Sequence, residues 1–232
     1  MTYRKLLLAV FVGVWTWSAI RPVFREDWLL ENYLVFLFFP LILLLAHYFE
    51  LSNVSYTLIT VFGILHVIGS HYTYSLVPFG YTLQRWFGAE RNMYDRLVHF
   101  SFGLLLAYPI REAFLRIARV RGFWGYYLPL DVTLAMSAVY EIIEWLVAAK
   151  VDPKQALSFL GSQGDIWDTQ KDMLSAGIGA LIAMLIVAVI NCRYDRNFGR
   201  DMRASFRLDK NDQPLGEFKL RKLLASQKRV GS

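Results

Sequence analysis

The chain has 232 residues, of which 56% are hydrophobic, 16% aromatic and only 19% charged, with a mean hydropathy of +0.35. Soluble domains are roughly 45–50% apolar and about 25% charged, so this profile excludes a disordered chain, a disulfide-stapled secreted domain and an ordinary cytosolic enzyme, and points to a helical membrane protein. The net charge of +6 does not imply a nucleic-acid partner, because no binding motif accompanies the basic residues and the positive charge sits mostly in the last 40 residues.

Arg4 and Lys5 precede an apolar run from Leu6 to Ile20. No small-x-small cleavage site follows, so an uncleaved first span over roughly 5–21 is expected. Further spans are expected over roughly 28–49, with Glu31 near the outer end, then 54–71, 95–114, 128–149 and 172–192. Pro129 is expected to open the fifth, at a first turn that tolerates proline. Residues 51–84 and 173–192 carry no Asp, Glu, Lys or Arg. Cys192, the one cysteine, leaves no intramolecular disulfide and no thiolate metal cluster. The expected fold is all-α, a polytopic bundle of six transmembrane helices over 1–192 with a basic cytoplasmic tail over 193–232. That tail is read as a topology determinant and a surface helix to about Asp209.

Orientation follows from the basic residues. With the N-terminus inside, inner segments hold 17 Lys and Arg against 8 outside. Arg111, Arg116, Arg119 and Arg121 around one short loop weigh most. Both termini are therefore expected on the cytoplasmic side. Of the outer connections, 72–94 is aromatic (Tyr72, Tyr74, Phe79, Tyr81, Trp86, Phe87) and suits an interfacial or re-entrant segment. The other, 150–171, holds Gly161, Gly164 and aspartates from 165 onward.

Ionisable groups inside spans are costly and mark function by default. His66 and His71 close the third span, Asp95 and His99 open the fourth, Glu141 and Glu144 lie late in the fifth, and Asp165, Asp168 and Asp172 lead into the sixth. All are expected in the outer third of the membrane or at its outer surface. Asp95 and His99 share a helix face at i, i+4, as do Asp168 and Asp172, and Glu141 and Glu144 at i, i+3. His66 and His71, at i, i+5, converge only if their helix ends near Gly69. Imidazoles with carboxylates suit one divalent metal ion (zinc, iron or manganese). On that reading His66, His71, Asp95, His99, Asp168 and Asp172 are the candidate ligands. Glu141 or Glu144 is the acid–base, with Tyr94, Tyr140 and Asp165 completing a polar site. Other readings stand beside it. Asp95 or Asp172 could cap a helix. The acids could pair with Arg85, Arg91 or Arg96 and only hold the bundle together. Two carboxylates one turn apart also suit proton coupling in a transporter.

Three blocks, Asn92-Met93-Tyr94-Asp95-Arg96-Leu97-Val98-His99-Phe100, Tyr140-Glu141-Ile142-Ile143-Glu144-Trp145 and Gly164-Asp165-Ile166-Trp167-Asp168-Thr169-Gln170-Lys171-Asp172-Met173, resemble the YjdF-like family of bacterial inner-membrane proteins over roughly residues 5–192. The resemblance implies architecture and an inner-membrane location, and supplies no reaction. Asp95, His99-Phe100, Glu141 and Asp168 are also similar in order to VanZ-like proteins, associated with glycopeptide resistance. There Asp172 stands in place of the usual Asn, and Gly177 and Gly179 are off the usual spacing. The Asp165-x-x-Asp168-x-x-x-Asp172 spacing resembles that of intramembrane aromatic prenyltransferases. Those have about nine spans and a second acidic motif, which this chain lacks. The expected function is a membrane enzyme whose outward-facing site acts on a lipid, lipid-linked or other small envelope molecule. The alternative is a non-catalytic proton-coupled transporter or a ligand-binding envelope protein. Membrane lipids are the expected partners.

Overall fold

A computed structural model describes residues 2–160, 162–207 and 220–224. It is all-helical, with no strand among the described residues. The helices are α1 (Tyr3–Ser18), α2 (Arg25–Tyr48), α3 (Asn53–His71), α4 (Pro78–Phe87), α5 (Tyr94–Arg116), α6 (Trp124–Ala148), α7 (Pro153–Leu160), α8 (Asp168–Tyr194) and α9 (Phe198–Ala204). Three of them, α2, α3 and α8, are long and apolar enough to cross a membrane.

Local chemistry sets the ends. Ser52 N-caps α3, its hydroxyl accepting from Ser55 N at 3.2 Å. Glu112 reaches across from α5 and accepts from Ser52 N (2.8 Å) and from the Ser52 and Ser55 hydroxyls. Pro78 starts α4, and Gly88, with φ +62°, ends it in the left-handed conformation. The expectation for Pro129 is corrected. The helix begins at Trp124, so Pro129 is interior and leaves the Gly125 carbonyl without its intrahelical donor. Pro40 and Pro109 are interior too. Lipid-facing helices accommodate such prolines because neighbouring groups re-satisfy the backbone. Past α8 the chain turns extended at Asp195 and forms α9, so no single helix continues from α8 through the tail. Asp209 lies outside the described residues.

The bundle is polar within and apolar without. Ser18, Asn32, Ser55, Ser70, Thr133 and Ser137 are fully buried, while Leu174, Leu181, Leu185 and Val189 on α8 are exposed. That inversion is what a lipid solvent selects, since hydrocarbon gives apolar side chains no reason to hide and polar ones every reason. At the centre α5 packs on α8 along two stripes of small residues. Asp95, His99, Gly103 and Ala107 recur at i, i+4 on α5; Asp168, Asp172, Ala176 and Ala180 do so on α8. A Cβ built on Gly103 would fall on the Ala176 carbonyl oxygen, and one on Gly179 would sit 2.8 Å from Leu104 N. The two backbones therefore touch. The same stripes carry the acids and His99 into register one and two turns beyond the contact.

Candidate functional site

The charged residues of α5 and α8 meet at the end of this seam. Arg91, just before α5, pairs with Asp168 and lies 3.4 Å from Asp95. Arg96 is the hub. Its Nη1 donates to the Asp168 backbone oxygen (2.9 Å) and pairs with Asp172, and its Nη2 donates to Asp168 Oδ1 (2.6 Å) and Asp165 Oδ2 (3.3 Å). His99 Nε2 lies 3.6 Å from Asp95 Oδ1 and 3.5 Å from Glu141 Oε1, which α6 brings alongside. One donor atom each from Asp95, His99 and Asp172 lies within 4.8 Å of the others. Asp165 precedes α8 and is held by Lys171 at 2.7 Å, and that ammonium keeps its carboxyl below the usual range. Arg85 takes no part and donates instead to Thr82 Oγ1.

Glu141, Glu144, Asp165, Asp168 and Asp172 line a cavity of about 160 Å³, roofed by Leu160 at the end of α7 and by Ser162. Glu141 is 6% exposed and its Oε1 accepts no hydrogen bond. Tyr140 packs edge-on against His99 (5.7 Å between centroids), and its hydroxyl donates to Glu31 Oε2 at 3.3 Å and adjoins Glu144. Glu31 is thus a member of the site that the sequence reading left out. Asp27, one turn before it on α2, was available as a signal, and its Oδ2 accepts from Thr73 at 2.6 Å.

His66 and His71 lie elsewhere. α3 runs on to His71, so the two never share a face. His66 Nε2 contacts the Glu31 carbonyl (3.2 Å), which can only accept, so that nitrogen carries the proton. Its Nδ1 is left to accept from the Tyr74 hydroxyl at 2.6 Å. Burial pushes the Tyr74 phenol well above its usual range. His71 Nδ1 donates to the Ser18 carbonyl (2.9 Å), and its ring stacks on Trp17. Tyr94 donates to the Leu65 carbonyl (2.8 Å) and packs with Tyr74, Val77 and Val98. These are helix-to-helix ties. Neither Asp95 nor Asp172 is a cap. Asp95 is the second residue of α5 and Asp172 the fifth of α8, and the N-cap residues Met93 and Trp167 make no side-chain cap.

The donor set Asp95, His99 and Asp172 fits a divalent metal by type, since one imidazole and two carboxylates suit zinc, iron or manganese. By spread the donors, within 4.8 Å of one another, would have to close to about 3.4 Å around a tetrahedral ion with bonds of about 2.0–2.2 Å. Glu141 Oε1 stands beside them, 3.5 Å from His99 Nε2.

A family model described as predicted membrane protein (DUF2238) matches residues 3–193. The inner membrane protein YjdF of Escherichia coli (strain K12) is 43% identical over 176 residues, covering 75% of this chain and 84% of that protein. No solved structure matches. With nearly the whole helical region matched, from α1 to the last turn of α8, this chain belongs to the DUF2238 family of membrane proteins.

Proposed function

We propose that the protein is a six-span membrane enzyme whose outward-facing site is metal-dependent and acts on a lipid or other envelope substrate. The convergence of Asp95, His99 and Asp172 on one point beside the orphaned Glu141 oxygen carries this reading. Asp95, His99 and Asp172 would hold the ion, which would supply a water of lowered pKa there. Glu141 or Glu144 exchanges the proton, and Tyr140 orients the carboxylates it bonds. Residues 1–192 form the transmembrane domain, crossing at α1, α2, α3, α5, α6 and α8. Residues 193–232 are the cytoplasmic tail, and both termini are cytoplasmic. Supporting this are the apolar lengths of α2, α3 and α8 and the arginines at 111, 116, 119 and 121. The membrane is the bacterial inner membrane, as for the E. coli relative. A transporter would need a polar path along the bundle, and the α5–α8 seam has no space even for a methyl group.

The test is metal analysis of the detergent-purified full chain. Wild type is expected to hold about one zinc, iron or manganese ion per chain. His99→Ala should lose it and Glu144→Gln should retain it. A wild-type protein without stoichiometric metal would overturn the reading.

A further inference from the structure

The acids of the site are not equally neutralised. Asp165 has Lys171 and Arg96, Asp168 has Arg91 and Arg96, and Asp172 has Arg96. Among the described residues no Arg or Lys pairs with Glu141 or Glu144. These two stand one turn apart on α6 and line the same cavity, where no described residue is basic. Glu141 is more than nine-tenths buried, with Oε1 accepting nothing, and Thr169 adjoins its carboxylate. Two carboxylates met only by a threonine, a tyrosine and one histidine, with no Arg or Lys paired to them among the described residues, call for a cation that also donates hydrogen bonds. The arginines are spent on the aspartates, and a metal on Asp95, His99 and Asp172 would still leave Glu144 with the Tyr140 hydroxyl and no positive charge.

We propose that the Glu141–Glu144 side of the cavity binds a primary ammonium group on the substrate. This deepens the function proposed above and rests on its reading of the cavity as a substrate site. An ammonium has three N–H donors, and the Glu141 Oε1, the Glu144 carboxylate and the Thr169 hydroxyl offer three acceptors. The volume of about 160 Å³ holds an aminoethyl group with a few waters, at about 30 Å³ per water. A quaternary ammonium carries no N–H and is bulkier, a phosphate would be repelled by the lining carboxylates, and a glycerol hydroxyl can donate to them but brings no positive charge. Ile166, 85% exposed, lines the cavity, and the next residue, Trp167, is exposed too, side chains suited to a membrane–water boundary. That setting favours an amine carried on a lipid; a soluble amine is the other source of the same chemistry.

The experiment is thermal unfolding of the full chain in detergent, titrated with dihexanoyl phosphatidylethanolamine, phosphatidylcholine, phosphatidylglycerol or free ethanolamine. The ethanolamine lipid is expected to bind at least about tenfold more tightly than the other two lipids. Glu144→Gln should weaken it about tenfold, the scale of one charge-assisted hydrogen bond. Stabilisation by the lipid alone marks a lipid amine, and equal stabilisation by free ethanolamine marks a soluble one. Either supports the ammonium site. Equal binding of the choline lipid, or an unchanged preference in a folded Glu144→Gln variant, overturns it. Thr169→Val serves if Glu144→Gln does not fold, with the same expected direction. Metal content of the same samples separates the two readings. Amine preference in a metal-free wild type would sink the metal assignment and keep the ammonium site, whereas bound metal with no preference would do the reverse.

Discussion

Arg96→Met removes the hub of the polar network. The side chain gives up its bonds to the Asp168 carbonyl (2.9 Å), Asp168 Oδ1 (2.6 Å) and Asp165 Oδ2 (3.3 Å), and its pairing with Asp172. The aspartates suffer unequally. Asp168 keeps Arg91 and Asp165 keeps Lys171, whereas Asp172, 2% exposed, loses its only arginine among the described residues. Stranding one buried charge costs about 3–5 kcal/mol. The lost bond to the Asp168 carbonyl adds about 1 kcal/mol. Methionine restores most of the apolar contact of the arginine stem, so a net loss of about 4–6 kcal/mol is expected. The second substitution, Asp172→Asn, removes the stranded charge and should return about 2 kcal/mol in the double variant, because the residues touch and their effects do not add. Equilibrium unfolding in mixed dodecyl maltoside and SDS micelles, with EDTA present, measures both. A double variant no more stable than Arg96→Met would refute the argument that Asp172 depends on Arg96 for its charge.

Two further predictions concern the packing around the site. In Gly103→Ala the new Cβ would fall on the Ala176 carbonyl oxygen, so α5 and α8 must part by more than about 1 Å to reach ordinary contact. A gap of that size forfeits about half or more of each dispersion contact across the seam, a loss of about 3 kcal/mol in the same unfolding assay; an unchanged midpoint would mean the helices are not in backbone contact. Tyr74→Phe leaves His66 Nδ1 without its donor, at a cost of about 1–3 kcal/mol. It should also alter the alkaline limb. Burial holds the folded Tyr74 phenol well above its ordinary value of 10.0, so its contribution is intact below that pH and is lost as pH rises beyond it, when the unfolded chain releases the proton first. The unfolding midpoint of Tyr74→Phe should therefore fall less steeply above pH 10 than that of wild type, and parallel slopes would contradict the assignment.

Part of the site could be read from spacing alone. Asp95 with His99 and Asp168 with Asp172 recur one helical turn apart, and α5 and α8 do present them on single faces. Which acids then meet depended on features that spacing within one helix does not contain. Gly103 and Gly179 bring two backbones together and thereby fix which side of each helix faces the other. Glu31 was seen at a span end, but its approach to Tyr140 depends on where α3 and α7 hold α2. His66 and His71 looked like ligands by type and depth. Both nitrogens of His66, and Nδ1 of His71, are taken up by a phenol and backbone carbonyls from other segments.

The low charge content and the uncharged runs at 51–84 and 173–192 determined the class of molecule by themselves, because an apolar run of that length needs hydrocarbon around it whatever its neighbours are. Helix positions followed for the same reason, since an isolated span must satisfy its own backbone. The sharing of Arg91 and Arg96 among four aspartates, and the exclusion of Glu141 and Glu144 from it, were decided only by tertiary structure. Electrostatic pairing falls off over a few ångströms. Those distances are set by helix rotation and close packing between segments more than 60 residues apart, such as Arg96 and Asp168.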